Sequence, residues 1–179
     1  RQEAGLPENT FVFACFNGMQ KITAATFAQW MQILNETPGS ILWLLTGGDK
    51  TDQRLRELAQ AAGIAPERLF FAPKAGNPAH LARIALADLF LDTYPYGAHS
   101  TAADALTVGL PVLTFPGKSF AARFCSSVVA ATGVSELICS SPDDYVAKAI
   151  GFAKKPGTLK KLRAKLEAGR EKSVLRDIP

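Results

Sequence analysis

The residues best suited to chemistry lie in three polar stretches, each beginning where an apolar run ends. The first is Tyr94-Pro95-Tyr96-Gly97-Ala98-His99-Ser100-Thr101-Ala102-Ala103-Asp104, which follows the run LFLD and opens a helical segment. Ser100 and Thr101 are helix N-cap types, and free N–H groups at a helix start carry partial positive charge that favours phosphate. Gly97 lets the backbone approach a ligand closely. With His99 and the two hydroxyls, this stretch reads as a diphosphate cradle that needs no metal. Asp104, one turn into the helix, can reach a ribose hydroxyl. The alternative is an ordinary capped helix in which Asp104 matches the dipole.

The second stretch, residues 73–83 (PKAGNPAHLAR), places Pro78 in the first turn of a helix. His80 and Arg83 are three apart and share one face, with Leu81, Ile84 and Ala85 on the core-directed face. His80 and Arg83 can stack on and hydrogen-bond a base, and Ala75 and Gly76 can present bare amides to its edges. A solvated polar face is the alternative. The third stretch, residues 16–21 (FNGMQK), puts Lys21 just after the first strand, where an ammonium can meet a β-phosphate as a point charge. Asn17, in the same loop, is a further candidate substrate-binding residue. Residues 47–50 (GGDK) read as a turn.

Other chemistries lack their parts. Neither the Walker pattern GxxxxGK[ST] nor GxGxxG occurs, and there is no GxSxG elbow, HExxH or paired Cys/His nucleophile. Cys15, Cys125 and Cys139 are widely spaced, without CxxC, and are expected to be buried thiols in a reducing cytoplasm rather than a zinc site.

The elements that must position these loops follow a repeating order. Strands are expected at residues 10–16, 40–45, 68–71, 89–91, 111–115 and 136–138. Helices are expected at 23–36, 52–62, 78–86, 100–108, 120–132, 143–153 and 159–171. In the first helix Phe27, Trp30, Met31 and Leu34 are spaced as one apolar stripe. Strand and helix alternating with short loops is the pattern of an α/β, doubly wound, Rossmann-like parallel sheet, here of about six strands. Ligands of such a sheet sit beyond the carboxyl ends of the strands, where all three stretches fall.

Composition agrees with one globular domain. The 179 residues are 47% hydrophobic and 20% charged, and no apolar run approaches the roughly 20 residues of a membrane span. The net charge is +4, yet residues 154–179 alone carry nine Lys/Arg and three Asp/Glu, so the other 153 sum to −2. That balance argues against nucleic acid as a partner of the body. The expected organisation is a linker at 1–9, a Rossmann-like domain at 10–153 and a basic C-terminal helix at 154–179. That helix is expected to dock by its leucines with its lysines in water, without stable membrane anchoring; lying on an acidic membrane surface is the alternative.

Taken in order, FNGMQKI, the LWLL strand, the His80–Arg83 helix, LDTYPYGAHSTAADAL, GLPVLTFPG and SFAARFCSSV resemble the C-terminal catalytic half of the O-linked N-acetylglucosamine transferase family, including its SPINDLY-like members. The resemblance implies the second domain of a GT-B fold. It implies a metal-independent, inverting transfer of sugar from a UDP-sugar donor to Ser/Thr of a protein acceptor engaged by regions upstream, with no cofactor. Within it, Lys21 matches the lysine that supports departure of UDP. His99, Ser100 and Thr101 match the diphosphate-binding trio, Asp104 the acidic residue near the ribose, and Ala75, His80 and Arg83 the uracil side. Animal members carry Gln and Tyr where this chain has Gly18 and Gln20, and Lys where it has Asn77. Branches using UDP-glucose or GDP-fucose, and a non-catalytic nucleotide-sugar-binding or protein-interaction module, are the alternatives.

Overall fold

The computed structural model describes residues 1–169. Its core is a five-stranded parallel sheet of β1 (Val12–Cys15), β2 (Ile41–Leu45), β3 (Leu69–Ala72), β4 (Leu89–Leu91) and β5 (Val112–Leu113), in the order β3-β2-β1-β4-β5. β1 is buried at every position and pairs on both sides, Phe13 with Leu42 and with Leu89. Burial on both faces is why the strands read as continuous apolar runs and not as alternating ones.

Among the described residues the helices are α1 (Ala24–Glu36), α2 (Asp49–Ala61), α3 (Asn77–Ile84), α4 (Ser100–Thr107), α5 (Phe120–Ala131), α6 (Pro142–Lys154) and α7 (Pro156–Gly169). Three of them begin at hydroxyl caps: Thr23 accepts from Thr26 N, Ser119 from Ala122 N and Ser141 from Asp144 N. The expected stripe of α1 is buried, and Trp30 Nε1 donates to Tyr145 Oη of α6 at 3.1 Å. Arg68 fixes the end of α1 to the sheet by donating to the carbonyls of Leu34, Thr37 and Ser40.

Three expectations need correction. The sixth strand, expected at 136–138, is instead a 3-10 turn, Ser135–Leu137, followed by a single parallel bridge between Thr114 and Ile138. Turn bonding between Leu137 N and Val134 O takes up the chain that a ladder would need. Asp49 and Lys50 belong to α2 and not to a turn: Gly48, at φ 91°, ends the loop, and the Asp52 carboxylate accepts from Gly47 N at 2.9 Å. Ala85 lies beyond the end of α3 and is exposed, so only Ile84 of the expected core-facing trio is fully buried.

α7 lies on the body through buried Leu159 and Leu166, while Arg163 donates to the Gly109 and Ala87 carbonyls. Lys160, Lys161 and Lys165 are exposed. Residues 170–179, including the expected helix end at Glu171 and the last three basic residues, lie outside the described residues. At the other end Leu6 is buried, and the Arg1 guanidinium pairs with Asp88 at 2.8 Å. Among the described residues, no helix is long and apolar enough to cross a membrane.

Candidate active site

The chain winds from β1 out to β3, then returns to β4 and β5 on the other side of β1. The connections leaving β1 and β4 therefore diverge, and such a switch point opens a crevice beyond the strand ends. Residues 16–21 and 92–99 are those two connections.

Lys21 ends a 3-10 turn, Met19–Lys21, after β1, and its side chain crosses to the β4 connection. Its ammonium donates to Gly97 O at 2.9 Å and sits 4.0 Å from the centre of the Tyr96 ring. Asn17, only 1% exposed, spans the same gap. Its amide nitrogen donates to Thr93 Oγ1 at 2.8 Å, and its oxygen accepts from the Thr101 hydroxyl. The Thr101 proton is thus committed to Asn17, and its hydroxyl keeps only acceptor capacity. Ser100 is exposed. Ala102 and Ala103 are the first to donate to His99 O, so the N–H groups of Ser100 and Thr101 are left open at the start of α4.

His99 is the N-cap residue of α4, yet its side chain makes no capping bond. Its ring lies 4.3 Å from Phe124 and 5.3 Å edge-on from Tyr96, and its buried Nε2 has no hydrogen-bond partner. An unmet buried polar atom of this kind costs about 1–3 kcal/mol, which a ligand can relieve.

The base-side residues gather on α3. Arg83 donates from Nε and a terminal nitrogen to His80 Nδ1, at 3.1 and 2.8 Å, and also bonds the Pro73 carbonyl. With Nδ1 accepting, the neutral ring carries its proton on Nε2. Both side chains pack on Phe16, the His80 ring at 5.5 Å and the guanidinium at 5.3 Å from its centroid. Burial, then Arg83, lowers the His80 pKa, while the charge of Asp104 on α4 pulls it back up. Asp104 lies on α4, which neighbours α3. Ala75 is exposed in the loop leading to α3 and lines a cavity of about 670 Å³ with Trp43, Phe71 and Arg83.

Sequence reasoning missed the group that holds the β4 connection in place. Asp92, 5% exposed, accepts from Thr93 N at 2.8 Å and Ala98 N at 2.7 Å through one oxygen. Its other oxygen accepts from Thr114 Oγ1 at 2.7 Å. Burial pushes its pKa up, and these donors pull it down. The only sequence signal was a lone carboxylate ending the apolar LFLD. Tyr96 and Phe16 were likewise passed over as site residues.

The three cysteines are free and buried. Burial raises all three thiols, Cys139 to about 12, so none supplies a thiolate nucleophile near neutral pH. Among the described residues, no group of three or more His, Cys, Asp or Glu side chains gathers as metal ligands would.

A parallel sheet with its crevice at this switch point defines a Rossmann-like domain of the GT-B type. WaaG, a glycosyltransferase involved in lipopolysaccharide biosynthesis, shares that fold with a TM-score of 0.71 at 19% identity, over 99% of this chain and 46% of that one. More specifically, the chain belongs to glycosyl transferase family 41, whose sequence profile matches residues 1–179.

It is 36% identical over 171 residues to the probable UDP-N-acetylglucosamine--peptide N-acetylglucosaminyltransferase SEC of Arabidopsis thaliana, covering 95% of this chain and 18% of that protein. Against the UDP-N-acetylglucosamine--peptide N-acetylglucosaminyltransferase of Caenorhabditis elegans it is 35% identical over 178 residues, 99% of this chain and 16% of that one. The structure of an O-GlcNAc transferase mutant of Thermobaculum terrenum matches with a TM-score of 0.89 and 32% identity, over 95% of this chain and 33% of that chain. This chain thus spans less than a fifth of the length of these two curated relatives.

Proposed function

We propose that this chain is the donor-binding part of a protein O-glycosyltransferase, and that it holds UDP-N-acetylglucosamine by its diphosphate and base. The observation that carries the reading is the meeting of Lys21 with Gly97 O of the β4 connection, three residues before α4 opens, across the switch point. In the transfer, the oxygen of an acceptor Ser/Thr hydroxyl forms a bond to the anomeric carbon as the bond from that carbon to the β-phosphate oxygen breaks, and the hydroxyl proton is released to solvent. UDP departs with the electron pair, and attack opposite the leaving group inverts the centre. This chain's part is to stabilise the charge growing on the leaving phosphate. We assign the Lys21 ammonium, the Ser100 and Thr101 N–H groups, the Ser100 hydroxyl and His99 Nε2 to that charge, and preorganised donors of this kind act without a metal.

On the base side, His80 Nε2–H offers a donor to a uracil carbonyl, Arg83 fixes that tautomer, and Ala75 presents backbone to the base edge. Asp104, on α4 next to α3, is assigned to the ribose, from whose hydroxyl it would accept. Asn17 sets the spacing between the two loops. The domain divisions at 9/10 and 153/154, a reducing cytoplasmic setting suited to three free thiols, and acceptor capture by regions upstream belong to the same proposal. Alone, the chain is expected to bind UDP and transfer nothing.

Calorimetric titration with UDP, GDP and ADP in EDTA tests it. UDP binding that survives EDTA and falls at least tenfold in Lys21→Met is expected. A preference for GDP would move the donor to a GDP-sugar, and affinity indifferent to Lys21→Met would refute the assignment of the lysine.

A further inference from the structure

We infer that Tyr96 is a positioning residue for Lys21, fixing the leaving-group ammonium over its ring before any donor arrives. The inference rests on the donor-site reading above and deepens it. Lys21 and Tyr96 are 75 positions apart, and the lysine reaches its place through the β4 connection and not through its own turn. An ammonium has three N–H bonds. One is given to Gly97 O at 2.9 Å and the Tyr96 ring lies 4.0 Å away, which leaves donor capacity for a phosphate oxygen. Tyr96 is itself braced edge-on by His99 at 5.3 Å, although it is 45% exposed. An exposed tyrosine held between a lysine and a histidine, both assigned to the diphosphate, needs a reason other than packing. Holding a flexible four-carbon side chain in its working place supplies one, because freedom lost in advance is not lost again on binding.

A cation over an exposed aromatic face contributes about 0.5–1 kcal/mol, which converts to a roughly two- to fivefold change in affinity. Tyr96→Leu is therefore expected to weaken UDP two- to fivefold and leave uridine, which lacks the phosphates, unaffected. Tyr96→Phe, which keeps the ring face, should stay within twofold of the parent. In a Lys21→Met background, Tyr96→Leu should have no further effect on UDP.

A ligand-free readout separates this inference from the donor-site reading. With lysines reductively dimethylated, the Lys21 methyl resonance, assigned by its loss in Lys21→Met, should be ring-shifted upfield in the parent and in Tyr96→Phe, and return to the ordinary lysine position in Tyr96→Leu. An unshifted Lys21 resonance in the parent would overturn the inference, as would an equal UDP loss from Tyr96→Leu in the Lys21→Met background. A ring-shifted resonance in a parent that binds no UDP would count against the donor-site reading and leave the ring contact standing.

Discussion

A methyl group added at Gly97 tests whether the β4 connection is as tightly built as its hydrogen bonds indicate. A Cβ there would stand 3.0 Å from Asp92 Oδ2, 3.3 Å from Ala121 O and 3.5 Å from Cys125 Cβ. Neither oxygen is free to withdraw. Asp92 Oδ2 is held by Thr114 at 2.7 Å, and Ala121 O accepts from Gly97 N itself at 3.1 Å. Two contacts must therefore open by a few tenths of an ångström against existing bonds, and overpacking of this kind costs about 1–3 kcal/mol. Gly151 provides the opposite sign in the same chain. It lies inside α6, is exposed, and has nothing within 4 Å of an added Cβ, so Gly151→Ala should stabilise by about 0.5–1 kcal/mol.

Urea unfolding of both variants is the assay, with the midpoints moving in opposite directions at unchanged slope. In a chain of this size each kcal/mol moves the thermal midpoint by roughly 2–4 °C. UDP affinity should fall with Gly97→Ala, because Gly97 O anchors Lys21, and should not change with Gly151→Ala. A Gly97→Ala protein as stable as its parent, with UDP affinity intact, would refute the reasoning.

Two further outcomes follow from the same network. Burial and then Arg83 hold the His80 pKa below its ordinary value, so the folded chain takes up that proton less readily than the unfolded chain. The stability this represents is complete above about pH 6.5 and is lost as the pH falls from there through the lowered folded value; His80→Gln should flatten the stability profile in that window, as read by urea midpoints from pH 7 to about pH 5. Tyr145→Phe strips the Trp30 indole N–H of its acceptor and the Asp92 carbonyl of its donor, both buried, and should cost about 1–3 kcal/mol in the same assay.

Much of the molecule was legible because its local signals agree with its fold. The runs TFVFACF and SILWLL become β1 and β2, and the stripe from Phe27 to Leu34 becomes the buried face of α1. Where signals were short, reading failed. Residues 136–138 offer three positions against a neighbour, β5, of only two residues, and such an edge closes into a turn after one bridge. The candidate loops were legible from their placement at strand ends, which is local. The capping expected of Ser100 and Thr101 was not met, because His99 stands at the N-cap without a capping bond and the Thr101 hydroxyl turns to Asn17.

What joins the loops was not legible. Asn17 meets Thr101 across 84 positions and Lys21 meets Gly97 across 76, and no local pattern announces either pairing. Asp92 escaped notice for a different reason. Its value lies in being buried with a full set of donors, and burial of a carboxylate at a strand end depends on which chains later cover it.

The most direct test of a donor site at the switch point is an amide chemical-shift map of the chain titrated with UDP in EDTA. The largest shifts are expected at residues 17–21 and 97–103, with a second group at 75–83. Shifts confined elsewhere would contradict it, whether in the α1–α2 groove around Met31 and Leu58 or in the cavity of about 610 Å³ between Arg1 and Arg163.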